Sequence, residues 1–398
     1  MPDKPSIAVL PFDNMSGDPE QEYFADGITE DITTALSKIP SLFVIARNSA
    51  FTYKSKTVDA RQVGQELGVR YLLEGSVRKA GNRLRITGQL IDTESGAHLW
   101  ADKFDSALQD VFELQDLVTE AVAGAIEPSV TQAEIKRAGL KPTSNLQAYD
   151  YLHQAMGRAQ LFTYKDLELA MQLARKATDL DPNYAQAYAH IASWYHLKKV
   201  HGWMDDEIQE TEEGVRLAHL AVQLEPNDPI VLTEAGFAVG HLNVDLRTAI
   251  PWFDRAIALN SNSALAFGKG AIVRTFAGNY VTAADHADRA LRLSPFDAWR
   301  FVFSLARGIS HLMRRNLPEA IEWLRKAAQE NPRHSSTYLY LASALAYSGQ
   351  MTEAQGALAR LLELRPMSSA TWQRQRRLIL EDDYEYALAG ARMAGLPE

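Results

Sequence analysis

The feature that most constrains this chain is a short signature that returns along its last two thirds. It reads "DLDPN" at 179–183, "LEPND" at 224–228, "LSPFD" at 293–297, "ENPRH" at 330–334 and "LRPMS" at 364–368. A copy without proline, "LNSNS", lies at 259–263. With Ser261 standing in for the missing proline, successive signatures are 44, 35, 34, 37 and 34 residues apart. Two helices of roughly 14 residues and two short turns use up a period of that size.

Small residues keep the same phase. Ala170 and Ala177, Ala221, Ala249 and Ala256, Ala283 and Ala290, Ala320 and Ala327, and Ala354 precede the signatures. Helices that cross closely need small side chains at the crossing, and a proline between helices loses no needed N–H. Period, alanine phase and proline position agree over six copies, the clearest being "SALAFGKGAIVRTFAGNYVTAADHADRALRLSP" and "SSTYLYLASALAYSGQMTEAQGALARLLELRP". This stretch resembles the tetratricopeptide repeat family over residues 146–398. An insertion around "VHGWMDDEIQE" accounts for the 44-residue spacing, and the segment after Pro366 reads as a C-terminal cap. The glycines of "GKGAIVR" (268–274) fall inside a repeat helix, where they allow close packing.

That resemblance implies protein or peptide binding on the inner helices. Carrying the family's groove positions over copy by copy points to Gln186, Ser193, His196, Glu234, His241, Thr275, Phe276, Trp299 and Tyr347. Each also fits plain surface or packing between repeats. One subtype grips a terminal carboxylate with Lys and Asn. Here the matching places hold Ala189 and Ser193, so that subtype is not expected.

The first third has a different period. Residues 6–12 read as a strand, 20–38 as a helix, 42–47 as a strand and 59–68 as a helix closed by Gly68. "VRYLLEGSVRK" and "NRLRITGQLID" then alternate across an Ala-Gly-Asn turn as a hairpin, and "AHLWADKFD" follows as another strand. A long helix from 110 to about 138 completes an α/β pattern with a mixed sheet. The expected organisation is an α/β domain at 1–139, a linker at 140–145 and an all-α tetratricopeptide-repeat solenoid at 146–398. "IAVLPFDNMSGDPEQEYFADGITEDI", "GVRYLLEGSVRKAGNRLRITGQLID" and "GAHLWADKFD" are similar to the TolB-like amino-terminal domain. In bacteria that domain, followed by such repeats, often sits downstream of a class III nucleotidyl cyclase domain or a winged-helix regulator. Neither effector is expected ahead of a first strand that starts so close to Met1.

Motifs for catalysis are missing. "DNMSGDPEQ" has one glycine and no lysine, unlike a phosphate loop. Asp18, Glu20, Glu22 and Asp26 favour the start of a helix but would repel a phosphate. The weaker alternative there is a divalent ion on Asp13, Asp18 and Glu22. Arg78, Lys79, Arg83 and Arg85 gather on the hairpin as a candidate anion site, although such residues also deter edge pairing. His190, His196 and His201 are six and five residues apart, which misses one helix face, so no metal site is expected. No GxSxG or HExxH motif occurs, and the chain has no cysteine, in keeping with a cytoplasmic location.

Charge bounds the partners. Residues 1–140 hold 14 Lys+Arg against 21 Asp+Glu and the remainder 27 against 29, so neither half offers the positive surface that nucleic acid needs. No apolar run approaches ~20 residues, so no membrane span is expected, nor does the N-terminus read as a signal peptide. The sequence reads as a non-enzymatic scaffold or regulatory module, without cofactor, that binds a protein or peptide in the repeat groove. Two alternatives stay open: a sensor that binds a small anion on the α/β domain, and an enzyme with an unrecognised site there.

Overall fold

The computed structural model describes residues 4–16, 21–54, 56, 58–80, 83–107, 111–140, 147–295, 297–375 and 378–398. Contacts divide the chain into Met1–Asn145 and Leu146–Glu398. The first is a small α/β unit with a mixed sheet, and the second is an all-α array of helix pairs of the tetratricopeptide type. Of the expected linker, residues 141–145 lie outside the described residues, and Leu140 ends the preceding helix.

In the α/β unit the expected strand at 6–12 is broken. β1 (Ser6–Val9) gives way to a short β2 (Asp13–Asn14) because Pro11 has no N–H for a ladder. The N–H of Phe12 is caught by Thr29 Oγ1 at 3.0 Å, on α1 (Gln21–Ser37). The expected strand at 42–47 keeps only β3 (Phe43–Val44), and the chain turns helical at α2 (Arg47–Ala50). α3 (Ala60–Leu67) starts at an Asp59 cap, whose carboxylate accepts from the Arg61 N–H at 2.7 Å, and ends at Gly68 with φ +65°. β4 (Tyr71–Ala80), β5 (Arg83–Asp92) and β6 (His98–Ala107) pair antiparallel in sequence, and α4 (Val111–Leu140) follows. Residues 81–82 of the expected hairpin turn lie outside the described residues.

Sheet order is β3-β1-β4-β5-β6, with β1 parallel to both its neighbours and β2 parallel to β4. Period-two alternation sends Ile7, Val9, Tyr71, Leu73, Val77, Ile86 and Leu90 to one face. There they pack on Ile28, Ile32 and Leu36 of α1 and on Val118, Val122 and Ile126 of α4. Ala8, Leu10 and Leu72 point the other way, onto Val63 of α3. Glu134 of α4 ties this helix to the sheet, accepting from Tyr71 Oη at 2.6 Å and Arg70 at 3.0 Å.

The helical unit comprises six pairs and a closing segment. The pairs are α5 (Ala148–Ala159) with α6 (Tyr164–Leu180), α7 (Ala185–His201) with α8 (Glu207–Leu224), and α9 (Pro229–Leu242) with α10 (Leu246–Leu259). After them come α11 (Ala264–Phe276) with α12 (Tyr280–Leu293), α13 (Arg300–Met313) with α14 (Leu317–Glu330), and α15 (Ser335–Tyr347) with α16 (Met351–Leu364). Two further helices, α17 (Ala370–Gln375) and α18 (Glu381–Met393), end the chain.

The repeated signature has a local cause. A residue before proline is pushed from the α region to extended backbone, which ends each second helix at one place. Asp181, Glu225, Ser294, Asn331 and Arg365 all take φ between −133° and −145°. Asn260 takes φ −138° without a following proline, and its side chain accepts from the Asn262 N–H at 3.0 Å. The 44-residue spacing is absorbed by longer helices, since α7 has 17 residues and α8 has 18.

The first helix of each central pair is enclosed by its neighbours. α9 is buried at every position except Ile230, and α11 at every position except Leu265, although both carry polar residues, among them Glu234 and His241 on α9 and Lys269 and Arg274 on α11. Packing is tight at Gly268, where a Cβ would lie 1.9 Å from the ring of Phe303. That ring is itself fully buried and has no room to swing away. Gly268→Ala is therefore expected to cost about 1–3 kcal/mol, measured as a lower urea midpoint of the helical signal. An unchanged midpoint would disprove the tight crossing.

Candidate binding site

The acids at the start of α1 are already served by a cation. Lys54 Nζ lies 2.8 Å from Glu22 and 2.6 Å from Asp26. Asp18, a member of the alternative ion site, lies outside the described residues. Among the described residues, no group of three or more His, Cys, Asp or Glu could hold a metal ion.

On the hairpin, Arg78 and Arg85 are direct cross-strand partners, a like-charge pair that costs stability. Arg85 compensates by gripping Asp105 of β6 with Nε at 2.6 Å and Nη2 at 2.9 Å. Arg78 is exposed, and the side chains of Lys79 and Arg83 lie outside the described residues. One arginine of this cluster is thus already bound to a carboxylate.

In the helical unit the nine groove positions separate into two sets. His196, His241, Phe276 and Trp299 line one cavity of about 80 Å³. The other five lie outside its lining. Gln186 donates to Asp228 Oδ2 at 2.7 Å, and Thr275 donates to the Ile272 carbonyl at 2.6 Å. Ser193 is fully buried. Tyr347 stacks on Tyr386 with centroids 4.2 Å apart and donates to its carbonyl at 2.7 Å.

Glu234, the fifth, forms a buried ion pair. Both its oxygens meet Lys269 Nζ, at 2.5 and 2.6 Å, and both residues are almost fully enclosed. Burial alone would push the Glu234 carboxyl up, but Lys269 and His190 hold it below its ordinary value. The Lys269 ammonium also sits 4.3 Å above Trp299 and 4.8 Å above Phe237, a favourable cation–π arrangement. One charge pair thus joins α9, α11 and the start of α13.

Around the cavity, aromatic rings meet edge to face. Phe276 and His241 are 4.9 Å apart at 84°, and His196 and Phe237 are 4.4 Å apart at 70°. Burial lowers the pKa of His241 to about 4 and holds His196 and His334 well below the usual imidazole range. Sequence reasoning missed Phe237, His334, Arg365, Trp372 and Tyr384, which share the lining. Arg365 ends α16, and the last two belong to the closing segment, read from sequence only as a cap. Its apolar residues among charges, Trp372 and "LIL" at 378–380, were the available signal.

Residues 3–121 match the second domain of HilA/YgeH-like transcriptional regulators. A Rhizobium meliloti (strain 1021) protein described as "Putative adenylate cyclase 3" is 44% identical over 229 residues, or 58% of this chain. The chain spans 39% of that relative's length. Similar solved structures include the APC/C hetero-tetramer Cut9–Hcn1, at 16% identity and TM-score 0.46, over 68% of this chain and 49% of that one. PilW, a type IV pilus biogenesis factor, aligns at 16% identity and TM-score 0.41 over 56% of this chain and 94% of its own. TolB from Acinetobacter baumannii aligns at 17% identity and TM-score 0.25 over 33% of this chain and 29% of its own.

Proposed function

We propose that the chain is a non-catalytic interaction module that works in the cytoplasm and takes a protein or peptide partner on the inner helices of its repeat array. The observation that carries this reading is the convergence of four groove positions, His196, His241, Phe276 and Trp299, on one cavity. Aromatic side chains enriched in a recessed surface are what binding hot spots use. The likeness to a regulator's second domain and to the Rhizobium meliloti protein supports a regulatory setting, in which a TolB-like unit and the repeats accompany an effector. A catalytic role has neither a GxSxG nor an HExxH motif in the sequence to rest on.

The test is affinity capture on the intact chain, followed by calorimetry with the partner identified. Trp299→Ala is expected to weaken binding by about 2 kcal/mol or more, while Arg78→Glu on the exposed hairpin leaves it unchanged. Melting curves of both variants separate binding from unfolding. The reverse pattern would abandon the groove and favour the sensor reading of the α/β unit.

A further inference from the structure

The closing segment reaches further along the array than a cap would. In a repeat array each unit touches only its neighbours, so residues after α16 are expected to meet the sixth pair alone. The later part of α18 does so. Gly390 lies so close to α15 that a Cβ there would be 2.9 Å from the Ser343 Cα, and Ala387 and Leu388 beside it are fully buried.

Residues 370–375 and 378–384 take another path. Trp372 lies near Gly202 at the end of α7, in the second pair, where an added Cβ would be 3.8 Å from its ring. Leu380 lies against Gly278, and the Asp383 carboxylate accepts from Tyr280 Oη, both at the turn of the fourth pair. Trp372, Leu378 and Tyr384 share one cavity lining with His196 of α7, His241 of α9 and Phe276 of α11. The segment therefore runs back from the sixth pair over the inner helices as far as the second.

That path bears on the groove. With the segment in place, His196, His241 and Phe276 are only 3, 5 and 4% exposed, so a partner cannot reach them. The segment is held by a few side chains, among them Trp372, Ile379 and Tyr384, while Leu380 stays half exposed. α17 has six residues, too few to persist as a helix by itself. The six pairs keep their nearest-neighbour contacts without it.

We infer that residues 370–375 and 378–384 are an intramolecular occupant of the partner groove. A partner docks by displacing them with a stretch of like chemistry, an aromatic ring and an aliphatic side chain in place of Trp372 and Leu378. The inference rests on the groove reading above and adds a built-in competitor to it.

A labelled synthetic peptide with the sequence of residues 368–384 is the probe. The full chain carrying Trp372→Ala and Leu378→Ala, which loosen the segment, is expected to bind this peptide at least about tenfold tighter than the parent, because a groove open only part of the time lowers apparent affinity by that fraction. A control peptide with alanine at both positions should bind neither chain. Circular dichroism checks that the variant keeps its helices. If it does not fold, native-state hydrogen exchange on the parent decides: the α17 amides should open together in low urea, while those of α7, α11 and α13 exchange only with global unfolding. A variant that binds no tighter than the parent, a control peptide that binds as well as the probe, or α17 amides that exchange only with global unfolding overturns the inference. These readouts use no partner, so their failure leaves the Trp299→Ala test standing. Partner binding that ignores Trp299→Ala would instead move the partner elsewhere and leave the segment in its groove.

Discussion

Lys269→Ala is expected to destabilise the helical unit by about 3–5 kcal/mol, the cost of leaving one buried charge without its partner. The loss falls on Glu234, which is 2% exposed and has both oxygens on the Lys269 ammonium. Once the ammonium is gone, the carboxylate either stays ionised in an apolar setting or takes up a proton at neutral pH, and both raise the energy of the folded state. Trp299 and Phe237 also lose the cation above their faces. Lys269→Met combined with Glu234→Leu removes both charges while keeping volume, and is expected to recover most of the loss, because well-packed apolar residues often replace a buried pair at no net cost. Urea denaturation followed by far-ultraviolet circular dichroism on the parent, both single variants and the double variant gives the coupling energy directly. A single variant within about 1 kcal/mol of the parent would mean that water reaches the pair.

How far the sequence speaks for this molecule depends on the range of the forces involved. The helix ends were legible because pre-proline strain acts between adjacent residues, and even Asn260 keeps the geometry after its proline is lost. Gly268 was legible for a similar reason, as a close crossing needs a residue without a side chain. The break at Pro11 and the shortness of β3 were missed, since an apolar run does not reveal how many of its residues find a ladder partner. The site was harder to read. Helices buried on all sides, such as α9 and α11, enclose polar and apolar residues alike, so periodicity cannot say which face meets the cavity. Ser193 and Thr275, carried over with His196 and His241 from the family's groove positions, lie outside the lining. Phe276 is 4% exposed, so its truncation would remove core packing at a cost of about 3–5 kcal/mol. Trp372 and Tyr384 meet His196 only through the path of the whole array, which no local pattern encodes. The Lys269–Glu234 pair left a clue in its separation of 35 residues, one repeat, which places opposite charges at matching positions of adjacent units.

Acid should weaken the helical unit well before its carboxylates titrate. His190 and His241 have native pKa values lowered to about 4, and His201 to about 3, in each case chiefly by burial, against an ordinary 6.5. His196 and His334 are lowered in the same direction. Because the folded values lie below the unfolded ones, the unfolded chain binds more protons between pH 6.5 and about 4, and stability rises with pH across that window. The stabilisation is complete above the unfolded pKa and fades as pH falls. One histidine at about 4 accounts for about 2 kcal/mol lost between pH 7 and pH 4.5. The rings crowd together, so protonating one in the folded state hinders the next, and the combined loss is expected to exceed that of one ring. Glu234, held low, adds a loss of the same sign below its ordinary 4.5. Asp297 acts against it, since burial raises its pKa and protonation relieves a buried charge. Urea midpoints at pH 7, 6, 5 and 4.5 should therefore fall progressively, and His196→Phe with His241→Phe should shrink the drop. A parent profile that stays flat from pH 7 to pH 4.5 would show that these imidazoles are solvated.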